Sequence, residues 1–312
     1  MLDIFMLTLS RVALLLLFIG LGYFLRRHKD LPDPSGRVLS LLCILIFSPA
    51  YNFKNISNRF TMDVLGDKLL LLGAGLAFAV AMIVLGNLLA KPLSKTEMER
   101  SSLTYAFIFS NYGYFGYPVI EGVFGPEFLG DFILFMQPLN IICYTYGFLL
   151  FQKDTKFTPS LLFKKPIIVA VFLALIWGLS GLTLPKLFTS ALDTAAVCQT
   201  PCSMLLAGFL LGKFPLKKLL TGKKPYLLCA IRLIGIPLVV GSLMYLLGLR
   251  GQILFLSLLF LSLPLGLNLV VFPESLGFEK DAENNAKLCF ISFLLSLITL
   301  PVLCSIYTMI CF

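Results

Sequence analysis

Apolar runs of about twenty residues, each long enough to cross a lipid bilayer, recur along this chain with only short polar stretches between them. They fall near 4–25, 38–53, 65–89, 103–123, 128–151, 166–184, 188–211, 225–247, 253–276 and 286–310. A soluble domain cannot hide that much apolar surface. Of the 312 residues, 58% are hydrophobic and only 13% charged, whereas a soluble domain carries roughly a quarter charged residues. The pattern predicts an all-α polytopic membrane protein with ten transmembrane helices and no sizeable soluble domain. The basic run Arg26-Arg27-His28-Lys29 follows the first apolar run. A cleavable signal peptide would carry its charge before that run, so the first helix is expected to be retained.

The net charge of +9 is explained by topology and does not call for a nucleic-acid partner. The odd-numbered loops hold 18 Lys and Arg residues and the even-numbered loops five. Basic residues accumulate in cytoplasmic loops, which puts the odd loops in the cytoplasm and both termini outside, in a multi-pass protein of the cell (plasma) membrane. The eight cysteines, at 43, 143, 198, 202, 229, 289, 304 and 311, lie in or at the ends of apolar runs and lack the spacing of a zinc site or a disulfide framework. The only histidine, His28, reads as a solvated loop residue. No metal or other cofactor is implied.

Two of the apolar runs are interrupted. The fourth contains Ser-Asn-Tyr-Gly-Tyr-Phe-Gly-Tyr-Pro (110–118), and the ninth contains Leu-Pro-Leu-Gly-Leu-Asn-Leu-Val-Val-Phe-Pro-Glu (263–274). Proline removes a backbone donor and glycine weakens a helix. In lipid such a break survives only where it lines a cavity or is buried in protein. Breakers recur at similar offsets in the two halves, with Pro49 matching Pro201, Gly113 matching Gly266 and Pro118 matching Pro273. Five spans per half give the halves opposite senses in the membrane. The expectation is an inverted repeat of residues 1–151 and 166–312 joined by a cytoplasmic linker, 152–165, with broken helices four and nine crossing near the bilayer centre. Paired interruptions of this kind mark the binding sites of secondary transporters.

The residues of the two interruptions carry a family likeness. Asn-Tyr-Gly-Tyr-Phe-Gly-Tyr-Pro-Val-Ile-Glu-Gly-Val-Phe-Gly (111–125) is similar to the fourth-helix crossover of the auxin efflux carrier family, and 263–277 resembles its ninth helix. Ile-Gly-Leu-Gly-Tyr-Phe-Leu-Arg-Arg (19–27), 200–211 and Ser-Leu-Ile-Thr-Leu-Pro (296–301) resemble its first, seventh and tenth. The resemblance covers the whole chain. It implies ten helices in two inverted five-helix repeats, and a scaffold of helices one, two, six and seven against which the others move. The long cytoplasmic loop of plant members is absent, which argues against auxin. Bacterial members of the family imply small carboxylates such as malonate or malate as the substrate class. The resemblance alone points to a homodimer.

The expected site consists of Asn111, Gly113, Gly116, Pro118, Pro264, Gly266 and Asn268. Helix N-termini exposed by the breaks suit a carboxylate, and the asparagines add amides that donate and accept. Gln137 and Asn140, three residues apart on one helix face, are further substrate candidates. Asp193, Glu121 and Glu274 are the candidates for coupling to a proton or sodium ion. Arg11 and Arg232 each lie about seven residues into a span and read as able to snorkel to the nearer interface. Tyr112, Tyr114 and Tyr117 read as interface anchors. The function expected is a secondary or facilitative carrier for a small organic anion working by alternating access. The rival within transport is a proton- or sodium-coupled symporter or antiporter for another solute. A membrane-embedded enzyme would need clustered carboxylates or histidines at membrane depth, which the sequence lacks, and a sensor would be expected to bring an attached soluble domain.

Overall fold

The computed structural model describes residues 2–29, 31–152 and 165–311, so all but the two ends of the expected linker lies outside the described residues. Among those residues the regular secondary structure is helical apart from a single β-bridge. In order, the helices are α1 (Leu2–Arg27), α2 (Ser35–Ser57), α3 (Leu65–Leu93), α4 (Glu97–Ile108), α5 (112–124), α6 (126–147), α7 (Pro166–Ser180), α8 (Lys186–Leu211), α9 (Lys223–Leu246), α10 (Gly251–Ser262), α11 (Asn268–Ser275) and α12 (Glu279–Cys311). Six of them are long and apolar enough to cross a membrane, and α7 and α10 are shorter apolar helices. The sequence places the last helix at 286–310, but it starts seven residues earlier, at Glu279, where Glu279 and Asp281 sit in the first turn and complement the helix dipole. Gly125, with φ of +85°, separates α5 from α6.

The helices are apolar on every side. On α1, Val12, Leu15, Ile19 and Gly22 face the protein while Leu14, Leu17, Leu21 and Phe24 face outward. Both faces follow a three- and four-residue spacing. That is the surface expected of a helix between a protein core and lipid. Because lipid is as apolar as leucine, such helices associate through close packing at small residues rather than through hydrophobic burial. At the crossing of α1 and α8, a Cβ on Gly22 or Gly208 would overlap the backbone of Leu205 or Ile19, respectively. Gly75 of α3 meets the Phe135 carbonyl of α6 in the same way.

Three prolines shape their helices by one mechanism. Wide five-residue turns at Cys43–Phe47, Tyr112–Gly116 and Ile231–Gly235 each end two residues before a proline: Pro49, Pro118 and Pro237. A proline ring clashes with the carbonyl four residues back, and a π turn moves that carbonyl aside without ending the helix.

Helices α1, α2, α7 and α8 pack on one another, and α3 packs on α4 and α6, while α10 and α11 pack on α12. Ion pairs tie neighbouring segments together toward each end of the bundle. Lys54 pairs with Asp193 at 2.8 Å, and Asp131 takes both Lys68 and, at 2.7 Å, the Gln252 amide. At the opposite end Lys213 pairs with Glu274 and Lys224 with Glu99. Replacing Gly208 with alanine is expected to lower stability by about 1–3 kcal/mol through overpacking, whereas Gly73→Ala on the open face of α3 gains or loses under about 1 kcal/mol; thermal unfolding of the detergent-solubilised protein distinguishes the two.

Candidate functional site

Both interruptions are real breaks, and they meet. Helix α4 stops at Ile108 and the chain runs extended through Phe109 before α5 begins at Tyr112. Helix α10 stops at Ser262, where Leu263 is forced to an extended conformation by Pro264. Ser110 and Leu265 form an antiparallel bridge, and the Asn111 N–H donates to the Pro264 carbonyl at 2.8 Å. The first break therefore sits just upstream of Gly113, Gly116 and Pro118, which lie in the opening turns of α5.

The two helices that end here leave carbonyls without partners in the helix. Arg232 of α9 answers them. Its Nε donates to the Ala106 carbonyl at 3.0 Å, one Nη to the Leu261 carbonyl, and the other Nη to the Ser110 hydroxyl. The Ser110 hydroxyl in turn donates to the Phe260 carbonyl at 2.9 Å. Arg232 is only 1% exposed, so the expectation that it snorkels to an interface is wrong. Carbonyl ends of two helices hold the guanidinium in the interior instead.

On the other side of the crossing, the N-terminal residues of α5 and α11 line a small polar cavity of about 50 Å³. Asn111, Gly113, Gly266 and Asn268 face it from the breaks, with Asn140 from α6. Ser48 and Asn52 from α2 and Gln199 from α8 close the opposite wall. No charged residue is among the lining residues described. Most of the polar groups are paired: Ser48 donates to Gln199 at 3.0 Å, the Tyr112 hydroxyl to the Asn140 oxygen at 3.1 Å, and the Asn52 amide to the Ser48 carbonyl at 2.9 Å. Two buried atoms have no protein partner, the Asn111 Nδ2 donor and the Asn52 Oδ1 acceptor. A buried polar group left unpaired costs about 1–3 kcal/mol, so the pair marks where a polar ligand atom would be most welcome.

Of the other predicted residues, some frame this cavity and some lie apart from it. Gly116 packs under Leu263, Pro118 follows in α5, and Pro264 contributes its carbonyl to the crossing. Gln137 lies outside the cavity; it accepts from Asn140 at 3.4 Å and donates to the Ile133 carbonyl, so it orients Asn140. Asp193 is half-exposed and tied to Lys54, and Glu274 to Lys213. Glu121 accepts from the Tyr51 hydroxyl at 3.0 Å, and Tyr51 stacks on Tyr117 with centroids 5.7 Å apart. Tyr112 and Tyr117 are buried at the cavity and are not interface anchors.

Sequence reasoning did not single out Ser48, Asn52, Gln199 or Tyr144, and counted Cys143 only among the cysteines. The available signal was Ser48 and Asn52, four residues apart around Pro49 in an apolar run.

A helical membrane protein with two crossed, broken helices around a buried polar cavity has the architecture of a transporter, and comparison with known sequences gives the family. The profile described as "Membrane transport protein" matches residues 7–158 and again 155–304. The chain belongs to this family, the auxin efflux carrier family of membrane transport proteins. It is also 25% identical over 304 residues to an "Uncharacterized transporter" from Methanothermobacter thermautotrophicus, covering 96% of this chain and 98% of the other.

Removing the Tyr112 hydroxyl (Tyr112→Phe) leaves the buried Asn140 oxygen short of a donor and is expected to cost about 1–3 kcal/mol. Adding Asn140→Leu should cost less than the sum of the single changes, because both partners are then gone; thermal melts of the two singles and the double give the coupling.

Proposed function

We propose that this transporter carries a small organic anion, recognised through a carboxylate, across the cell membrane by an alternating-access movement of elevator type. One observation carries the reading: the buried, unpartnered Asn111 amide faces an uncharged cavity that the N-terminal residues of two helices also line. Those ends supply free N–H groups and partial positive charge, and the Asn111 and Asn268 amides add donors. A site built from dipoles and amides binds reversibly, without a bare cation to strand in the interior between loads.

The ten segments are read as ten crossings in two inverted halves, residues 1–151 and 166–312, with both termini outside. The ion pairs support this: Lys54–Asp193 and Lys68–Asp131 join residues near the segment ends read as facing outward, and Lys213–Glu274 and Lys224–Glu99 residues near the ends read as cytoplasmic. The cavity, at about 50 Å³, is well below the roughly 300 Å³ of an open ligand pocket, as suits a conformation closed around its site. If a proton or sodium ion is coupled, Glu121 is the strongest of the three acidic candidates, because it alone touches the Tyr51–Tyr117 contact beside the cavity.

Uptake into proteoliposomes across a panel of mono- and dicarboxylates, with pH and sodium varied separately, tests the reading. Asn111→Ala and Asn268→Ala should each lower uptake of the accepted substrate by about tenfold or more, the loss expected of a hydrogen bond to a charged group, while the protein still inserts and elutes as a single species. Normal uptake by either variant removes that asparagine from the site, and no uptake of any carboxylate by the wild type rejects the anion reading.

A further inference from the structure

The four helix ends at the crossing form a charge pattern that Arg232 divides. A helix terminus carries about half an elementary charge, positive at the N-terminus and negative at the C-terminus. The C-termini of α4 and α10 together amount to about one negative charge, and a single guanidinium sits on both, through Ala106 and Leu261. No carboxylate among the described residues pairs with Arg232. Its countercharge is the two helix ends, so that half of the crossing is already neutral. The N-termini of α5 and α11 amount to about one positive charge and face the cavity, where no described lining residue is charged.

We infer that Arg232 sets the valence of the site: by neutralising the carbonyl ends, it leaves a net field that matches one negative charge, so the crossing takes a monoanion in preference to a dianion. This rests on the anion-carrier reading above and narrows it, since a dicarboxylate is then accepted in its singly protonated form. Without Arg232 the carbonyl ends would offset the amide ends a few residues away, and the cavity would hold no net preference for an anion. Arg232 touches no part of the cavity itself; it acts through Ser110, which lines it, and through the placement of the two helices. It is a positioning residue.

The groups around it keep the assignment clean. Cys229 lies one turn away on α9, and the cavity side presents Cys143 and the phenols of Tyr105, Tyr112, Tyr114, Tyr117 and Tyr144. Thiols and phenols are neutral in the weakly acidic range, and Glu121, bonded to the Tyr51 hydroxyl beside the cavity, is the nearby carboxylate, so a pH effect on malonate binding that persists in Glu121→Gln belongs to the ligand.

The test is ligand binding to the purified full-length protein in detergent, by calorimetry, with pyruvate as the monoanion and malonate as the diacid. For the wild type, malonate affinity should rise roughly tenfold for each pH unit lowered above its second dissociation, while pyruvate affinity stays within about threefold. Malonate affinity that is flat, or that falls as the pH drops, overturns the inference without any variant. Binding of neither compound would reject the carboxylate-carrier reading instead. Arg232→Gln should weaken pyruvate by about tenfold or more and Arg232→Lys by less, because lysine keeps the charge. Undiminished binding by Arg232→Gln also overturns the inference. If that variant does not fold, the pH series of the wild type and of Glu121→Gln decides.

Discussion

A peptide group in the interior of a membrane has no water to turn to, and leaving one unpaired costs several kcal/mol. Everything unusual in this structure follows from how two interrupted helices meet that demand. Neither break could exist alone. The extended stretch after α4 finds its partner in the extended stretch after α10, through the Asn111–Pro264 hydrogen bond and the Ser110–Leu265 bridge. The carbonyls that neither stretch can satisfy converge on Arg232. A buried cation stripped of its partners is strongly destabilising, as are partners stripped of the cation. The crossing and the arginine therefore depend on each other, and the crossing fixes where α5 and α11 begin.

That one arrangement also explains why the cavity lies where it does. Helices starting at a break turn their amide ends toward the gap between them. The opposite wall comes from α2 and α8, which carry their polar residues, Ser48, Asn52 and Gln199, around the prolines at 49 and 201. Polar side chains and helix interruptions collect at the same level because each is tolerable in lipid only where the other supplies hydrogen bonds.

Much of this was legible in the residues. Pro264 and the interrupted stretch at 110–118, with its two glycines and a proline, announced two breaks, and their placement in the fourth and ninth apolar runs brought Asn111, Gly113, Gly266 and Asn268 forward as a group, all of which line one cavity with Asn140, picked separately with Gln137. The exact point of the first break was not legible. Pro118 suggests interruption, but a π turn absorbs it, and the helix parts earlier, at Phe109–Asn111, where the partner strand is available. Asn52 was missed and Arg232 misread for a common reason. On a helix apolar all round, such as α1 with leucines on both faces, periodicity does not separate lipid from core. A lone polar residue then gives no sign of the direction it faces. Arg232 could as well have reached an interface; only the carbonyl ends of two distant helices decide otherwise.

The contacts inside the molecule differ in kind, and the difference bears on what can move. Where α1 crosses α8, backbone meets backbone through Gly22 and Gly208, and α3 meets α6 at Gly75 in the same manner. Such crossings interlock, and a shift of even an ångström produces overlap. Across the cavity, by contrast, α2 touches α5 through the Tyr51–Tyr117 ring stack and the Tyr51–Glu121 hydrogen bond. A ring stack is worth about 0.5–1.5 kcal/mol beyond its buried area, and it can slide or be replaced by a solute. The α2–α5 contact across the cavity is thus the weaker of the two kinds, while α1 also packs against α5 and α12. The crossing itself is pinned by Arg232 and by its own paired backbone.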